Sequence, residues 1–312
     1  MGVAFHRIVA VCLFLACLFA FFSPGAFAGR IILDADGQLG FARHLMSKGE
    51  YDAAVSEFER FIHFFPEDTQ VPLAQELKGL CLLMGRHYEK AREVFRHILK
   101  TYPASESGAK ALFLIGESYY RQGVPKEAEI YFRKLIRDYP RSDLRYAALY
   151  RLGWTGMRQD RWEEASEYFR RAGSGGSDFL NARILAEKSL QGRNLPQKSP
   201  ALAGGLAAVV PGLGHAYTGR YRDAAVAFLV NGLFIWAAVE SFEQDHEVLG
   251  GMLLFLEAGW YSGNIYSAVG AAHKHNRRVR DAYRRGLGDR LHLGLLAGGK
   301  DSIGLGLTYE FR

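Results

Sequence analysis

Two side chains in the C-terminal half stand where polar groups are costly: Asn231, inside the apolar run Ala224 to Val239, and Glu257, inside Val248 to Ala272. A carboxyl held away from water is a candidate carrier of a proton or an ion, so Glu257 is the one residue around which membrane chemistry can be imagined. The plainer use is packing, with Glu257 protonated or hydrogen-bonded to Asn231 or Tyr261. His273 and His275 have metal-ligand chemistry but lie in a strongly basic run and read as solvated or lipid-facing. Cys81 follows the spacing of a packed helix and reads as core rather than as a reactive thiol. There is no GxxxxGK phosphate loop, no HExxH, no CxxC and no GxSxG in the chain. The expectation is a chain without catalytic residues, bound metal or cofactor.

The elements that would position such residues begin with a repeat. Ala54, Ala91, Ala128 and Ala165 recur every 37 residues, followed four positions later by Phe58, Phe95, Phe132 and Phe169. Three positions further stand Phe61, Ile98, Leu135 and Ala172, and the stop falls at Pro66, Pro103 and Pro140, with Ser177 in the fourth copy. Small, large, large at i, i+4 and i+7 is one face of an α-helix. A second set, Ala42, Gly79, Gly116 and Gly153, supplies the small residue of a preceding helix. Each copy is therefore a helix pair, and Phe179 to Leu190 reads as a capping helix.

This order resembles tetratricopeptide repeats. The longer unit and the corners Tyr102-Pro103 and Tyr139-Pro140 resemble the repeats of bacterial envelope proteins related to BamD and CpoB, over about residues 35–190. The resemblance implies an all-α solenoid that binds a protein or peptide partner. In such arrays the first helix of each pair lines the concave face. By register that places Phe113, Glu117 and Tyr120 of the third copy there, with Tyr150, Trp154, Met157 and Arg158 of the fourth, as a groove for an apolar peptide. The alternative is that these side chains pack against the next helix or the capping segment.

The formal charge of +6 on 312 residues first suggests nucleic acid, but the excess is local. Lys274, Arg277, Arg278, Arg280, Arg284, Arg285 and Arg290 face only Asp281 and Asp289 within 273–290. A nucleic-acid surface spread over the solenoid is thereby disfavoured. The first 28 residues read as a signal peptide: His6 and Arg7, an apolar run from Ile8 to Phe22, a Ser23-Pro24-Gly25 break and Ala26-Phe27-Ala28. Cys12 and Cys17 leave with it. Residues 29–195 are then the solenoid, 196–285 a membrane domain of two or three apolar helices, and 286–312 a β-hairpin tail.

Pro211-Gly212-x-Gly214-His215-x-Tyr217-x-Gly219, followed by two apolar helices around an acidic loop, resembles small bacterial membrane domains of the TM2 and DUF5683 type, over about residues 200–285. That likeness implies a membrane helical hairpin and no chemistry. Gly259, Gly263 and Ser267 form a small-residue face for helix contact within the hairpin or between copies, the latter making a homo-oligomer. Ile303 to Phe311 alternates with period two after a Gly298-Gly299-Lys300-Asp301 turn, which predicts a β-hairpin. Gly306, Tyr309 and Phe311 resemble the terminal signal of outer-membrane barrels.

These features predict a membrane-anchored envelope adaptor with a periplasmic solenoid at the inner membrane, lipid and a protein as its partners. The alternatives are an outer-membrane assembly or transport component whose tail joins an oligomeric barrel, and a membrane enzyme using Glu257. A periplasmic solenoid and a cytoplasmic Arg277 to Arg285 segment require an odd number of crossings, with Pro200 to Tyr217 making the first of three; the alternative is that Pro211 and its glycines make this stretch re-entrant or interfacial, which leaves the basic tail in the periplasm.

Overall fold

The computed structural model describes residues 34–174 and 181–289, and the backbone of two strands beyond them. The signal segment, Ser177, Phe179, the 298–301 turn, Tyr309 and Phe311 lie outside the described residues.

Four antiparallel helix pairs stack in chain order: α1 Ala35–Ser47 with α2 Tyr51–Phe64, α3 Val71–Met84 with α4 Tyr88–Thr101, α5 Glu106–Gln122 with α6 Pro125–Asp138, and α7 Leu144–Arg158 with α8 Trp162–Ala172. The 37-residue period is the period of this stack. Phe58, Phe95, Phe132 and Phe169 are fully buried, as are the four alanines that precede them. The reason glycine recurs on the first helix is steric. A Cβ on Gly79, Gly116 or Gly153 would come within 2.6, 2.7 and 2.6 Å of the Phe95, Phe132 and Phe169 rings. Each glycine is the floor on which the next helix lays its ring.

Every pair turns in the same way. Gly49, Arg86, Gly123 and Asp160 are left-handed, with φ of 79, 65, 82 and 60°. The following amides, of Glu50, His87, Val124 and Arg161, donate to the carbonyls of Leu45, Leu82, Tyr119 and Gly156 at 2.8 to 3.0 Å. This is the Schellman closure of a helix C-terminus, which satisfies carbonyls that would otherwise be orphaned. Two of the four turns manage it without glycine.

After α9 (Ala182–Gly192) caps the stack, the chain enters a second helical unit: α10 Pro200–Val209, α11 Leu213–Tyr217, α12 Tyr221–Glu243 and α13 Glu247–Leu287. The short α10 and α11 lie against α13 through small side chains; Ala203, Ala207, Ala268, Ala271 and Ala272 are buried. Gly214 sits so close that a Cβ would come within 2.1 Å of the Ala203 carbonyl oxygen, and one on Gly212 within 2.2 Å of that of Ala224. Gly212 and Gly219 are left-handed. The glycines around His215 thus fold the chain back on itself, and Tyr217 ties that fold to the linker by accepting from the Ser199 amide at 3.1 Å.

Among the described residues α12 alone is long and apolar enough by itself to cross a membrane. At its back runs α13, 41 residues long and hence about 60 Å at 1.5 Å per residue. It does not stop at the end of its apolar half. The same helix carries the basic segment back to the solenoid. At ten and five residues, α10 and α11 are too short to span. The backbone of β1 (His292–Ala297) pairs antiparallel with that of β2 (Ile303–Thr308).

Candidate functional site

The concave face of copies three and four is where register places the expected groove, and the structure gives its residues separate duties. Phe113 is fully buried, its ring 5.7 Å from that of Phe132. Tyr150 is also fully buried, at 5.5 Å from Phe169, and Trp154 packs on the same ring at 5.9 Å. Met157 is inaccessible. The expectation of an open aromatic groove is corrected here: these apolar side chains fill the space between paired helices. Arg158 alone of the set is exposed.

What remains at the surface of this face is polar, and it is occupied by the chain itself. Arg151, 2% exposed, donates to both carboxyl oxygens of Glu117 at 2.6 and 2.9 Å and to both of Asp289 at 2.8 and 2.7 Å. Tyr120 donates its hydroxyl to Asp289 at 2.9 Å, and the Arg158 guanidinium lies 3.8 Å above the Tyr120 ring. Glu117 also accepts from Arg121 at 2.8 Å. One buried arginine thus joins a carboxylate of the solenoid to the residue just beyond the end of α13. Burial works against the Arg151 charge, but Glu117 and Asp289 outweigh it and hold the proton more firmly than in water. Burial and then the Asp289 charge push the Tyr120 phenol well above its ordinary value, against the pull of Arg151 and Arg158.

A second contact lies one helix further on. Arg280 pairs with Asp160 at 3.1 Å, and Arg284 pairs with the same carboxylate and with Asp281. The Tyr283 ring meets Trp162 edge-on at 6.3 Å, and its hydroxyl donates to the Lys188 carbonyl at 2.7 Å. Asn276 grips the linker in both directions, accepting from the Lys198 amide at 2.7 Å and donating to its carbonyl at 2.8 Å. Four separate segments of the solenoid and linker therefore hold the last three turns of α13. Arg280 to Asp289 consequently lies against the solenoid. Between the helix end and the concave face a cavity of about 420 Å³ remains, lined by Tyr120, Trp154, Arg158, Asp281, Arg284, Arg285, Gly288 and Asp289. Arg151, Asp160 and Asn276 were not singled out from the sequence, and Asp289 entered only as a counter-charge to the basic run. The left-handed position at 37-residue spacing was the one available sign for Asp160.

In the second unit, Asn231 and Glu257 are both buried, yet Asn231 donates within its own helix to Ala227 at 2.5 Å. Tyr261 donates to the Ala208 carbonyl at 3.1 Å. Neither carboxyl oxygen of Glu257 meets a donor among the described residues, so of the two expected forms, protonated or bonded to Asn231 or Tyr261, the bonded one is corrected. His215 is buried in α11. Around these polar side chains the outer faces of the hairpin are apolar: Trp236 is 62% exposed and Phe255 80%, with Phe228, Leu229, Leu233, Met252 and Leu256 also open. Among the described residues no group of three or more His, Cys, Asp or Glu is placed to hold a metal.

Residues 39–106 and 110–142 match tetratricopeptide-repeat models, so these copies are tetratricopeptide repeats. No curated protein matches the chain. Among solved structures, MamA (41-end) from Desulfovibrio magneticus RS-1 is 23% identical over 45% of this chain and 73% of its own, with a TM-score of 0.38. The apo form of RapI is 16% identical over 76% of this chain and 87% of its own, at 0.41. A tetratricopeptide repeat protein from Parabacteroides merdae ATCC 43184 is 12% identical over 77% of this chain and 98% of its own, also at 0.41.

Proposed function

We propose that the chain is a non-catalytic, membrane-anchored adaptor of the bacterial cell envelope, whose repeat solenoid binds a protein or peptide while the α12–α13 hairpin holds it at a membrane. The observation that carries this reading is the inverted hairpin. Large apolar side chains cover the outside of α12 and of the first half of α13, while Asn231, Glu257 and His215 are turned inward. A surface of that size and composition is unfavourable in water and favourable against hydrocarbon. Two crossings follow, with α12 leaving and α13 returning to the side of the solenoid. The solenoid and the basic segment then share one compartment, the periplasm if the signal segment is cleaved. The acidic loop around Glu240, Glu243, Asp245 and Glu247 lies on the other side.

With copies three and four covered by the end of α13, the partner is met where the solenoid remains open, at the first helix pair, with Phe41 and Phe64 exposed. Nucleic acid is not the partner on this reading, because the cations nearest the solenoid are engaged by Asp160, Asp281 and Asp289. Membranes washed with carbonate should retain the chain, and Trp236→Glu with Phe255→Glu should release it with the solenoid still folded. Recovery of the unmodified chain in the aqueous wash would remove the anchor from this reading. A photo-crosslinking residue at Phe64 should trap a protein partner, whereas one at the buried Phe113 should trap none. For topology, alkaline phosphatase fused after Arg285 should report the same compartment as a fusion within the linker at Gln197.

A further inference from the structure

We propose that a cleft at the junction of α11, α12 and α13 is a binding site for a single phospholipid of the adjacent leaflet, its glycerol-ester region on His215 and Asn264 and one acyl chain along Gly259 and Gly263. The inference rests on the membrane reading above. The cleft has a volume of about 460 Å³ and is lined by His215, Asp223, Val226, Ala227, Gly259, Trp260, Gly263, Asn264 and Ser267. Two of its polar side chains are buried without being satisfied. His215 is 4% exposed and Asn264 7%. Neither polar atom of the Asn264 amide nor Nδ1 of His215 meets a hydrogen-bond partner among the described residues. Buried amides and imidazoles are rarely left so, and a donor with acceptors in a roomy cleft suits a ligand bearing ester or hydroxyl oxygens.

The other end of the cleft is apolar and open. Nothing lies within 4 Å of where a Cβ on Gly259 or Gly263 would stand. Among the described residues, nothing packs on the Gly259 and Gly263 positions of the small-residue face expected to meet a helix within the hairpin or of a second copy. From Gly259 to Ser267 the cleft runs about 12 Å along α13 at 1.5 Å per residue. Its polar end, with Asp223 and Ser267, is the end nearer the solenoid and hence at the bilayer boundary. Its apolar end, with Trp260 and Val226, lies deeper. That polarity matches a lipid at its natural depth. A helix from a second copy would fill the small-residue face but bring an apolar surface to Asn264. Arg220 neutralises Asp223 at 2.5 Å, so the site has no net sign with which to choose among headgroup charges.

The test uses the full chain in nanodiscs of phosphatidylethanolamine or of phosphatidylglycerol, transferred to detergent and weighed by native mass spectrometry. One retained lipid per chain is expected from either nanodisc. Gly263→Leu, which fills the cleft, and Asn264→Leu, which keeps the volume and removes the amide, should each lower the retained fraction about tenfold with an unchanged solenoid melt. Equal retention in both variants overturns the proposal. So does a wild-type mass of two lipid-free chains that Gly263→Leu reduces to one, because the occupant is then a second copy. A chain that remains in washed membranes but carries no lipid overturns this inference alone. A chain that leaves the membrane in the wash overturns the membrane reading with it.

Discussion

The solenoid and the hairpin use one turn and opposite polarity. Asp245, with φ of 60°, joins α12 to α13, and the His246 amide closes on Ser241 at 2.8 Å, as the amides after Gly49, Arg86, Gly123 and Asp160 close their own helices. Gly219 and Arg220 repeat the motif before α12. What differs is the direction in which the large side chains point. In the repeats, the recurring rings Phe58, Phe95, Phe132 and Phe169 are shut between paired helices. In α12 and α13, phenylalanines and tryptophans lie outside while Asn231, Glu257 and Asn264 are shut in. The same backbone closure thus joins helices whose large side chains point inward and helices whose large side chains point outward.

The largest test of this contrast exchanges like for like. Phe132→Ala should cost about 3–5 kcal/mol of solenoid stability, the usual loss for truncating a fully buried ring. Phe255→Ala removes the same atoms from a residue 80% exposed and should leave the solenoid melt within about 0.5 kcal/mol. Thermal melting in detergent measures both. Equal costs would mean that the outer face of the hairpin is packed in the free protein, and the polarity contrast would fail.

Breaking the join between the two regions comes next. Removing Asp289 leaves Arg151 buried with only Glu117 of its two carboxylates, so Asp289→Ala should cost about 2–3 kcal/mol of docking free energy, less than the 3–5 kcal/mol of a fully broken buried pair. Proteolysis between the end of α13 and the solenoid, or hydrogen exchange at 280–289, reads it directly. Arg151→Leu should be worse than Asp289→Ala, since it strands Glu117 as well. If the two variants exchange alike, the Glu117 side of the network contributes nothing to the solenoid.

The repeats were legible because a solenoid repeats its constraints: four copies put a small residue and a ring at fixed spacing, and the physical need for each was visible four times. The groove was not legible. Register correctly assigned Phe113, Tyr150 and Trp154 to the first helix of each pair, but one helical face does not say whether a ring points at the partner helix or at solvent. Occupation of the concave face depends on Arg151 and Asp289, 138 residues apart, and no local pattern joins them. The contacts of the basic run were hidden for the same reason. Arg280 and Arg284 looked like free charges of a cytoplasmic tail, and Asp160, which neutralises them, belongs to a turn in the fourth repeat.

Alkali should loosen the join before it unfolds the repeats. Because burial and Asp289 raise the Tyr120 phenol in the folded state, its contribution is complete below the unfolded value near 10 and falls away as pH rises through the higher folded value. Hydrogen exchange at 280–289 should therefore increase above about pH 10, and Tyr120→Phe should flatten that rise. Cys81, pushed by burial to about 12, should meanwhile stay unreactive to thiol reagents until the solenoid itself opens. Reaction of Cys81 at neutral pH in step with α13 release would show that the two regions do not open separately.

The smallest effect separates the two non-glycine turns. A non-glycine residue in the left-handed region costs roughly 1 kcal/mol, part of which glycine returns as entropy in the unfolded chain. Arg86 is exposed and its turn serves the solenoid alone, so Arg86→Gly should raise solenoid stability by about 0.5 kcal/mol. Asp160 occupies the equivalent turn one stack-end away, but its carboxylate receives Arg280 and Arg284 from α13. Asp160→Gly gains the same relief and loses both ion pairs, about 1 kcal/mol together for partly exposed groups. Its net effect on the intact chain should be a loss of about 0.5 kcal/mol, and in a chain ending at Gln197 it should become a gain like that of Arg86→Gly. A change of sign between the two lengths identifies Asp160 as a residue whose strain is maintained by the hairpin. The same sign in both would assign it to the solenoid alone.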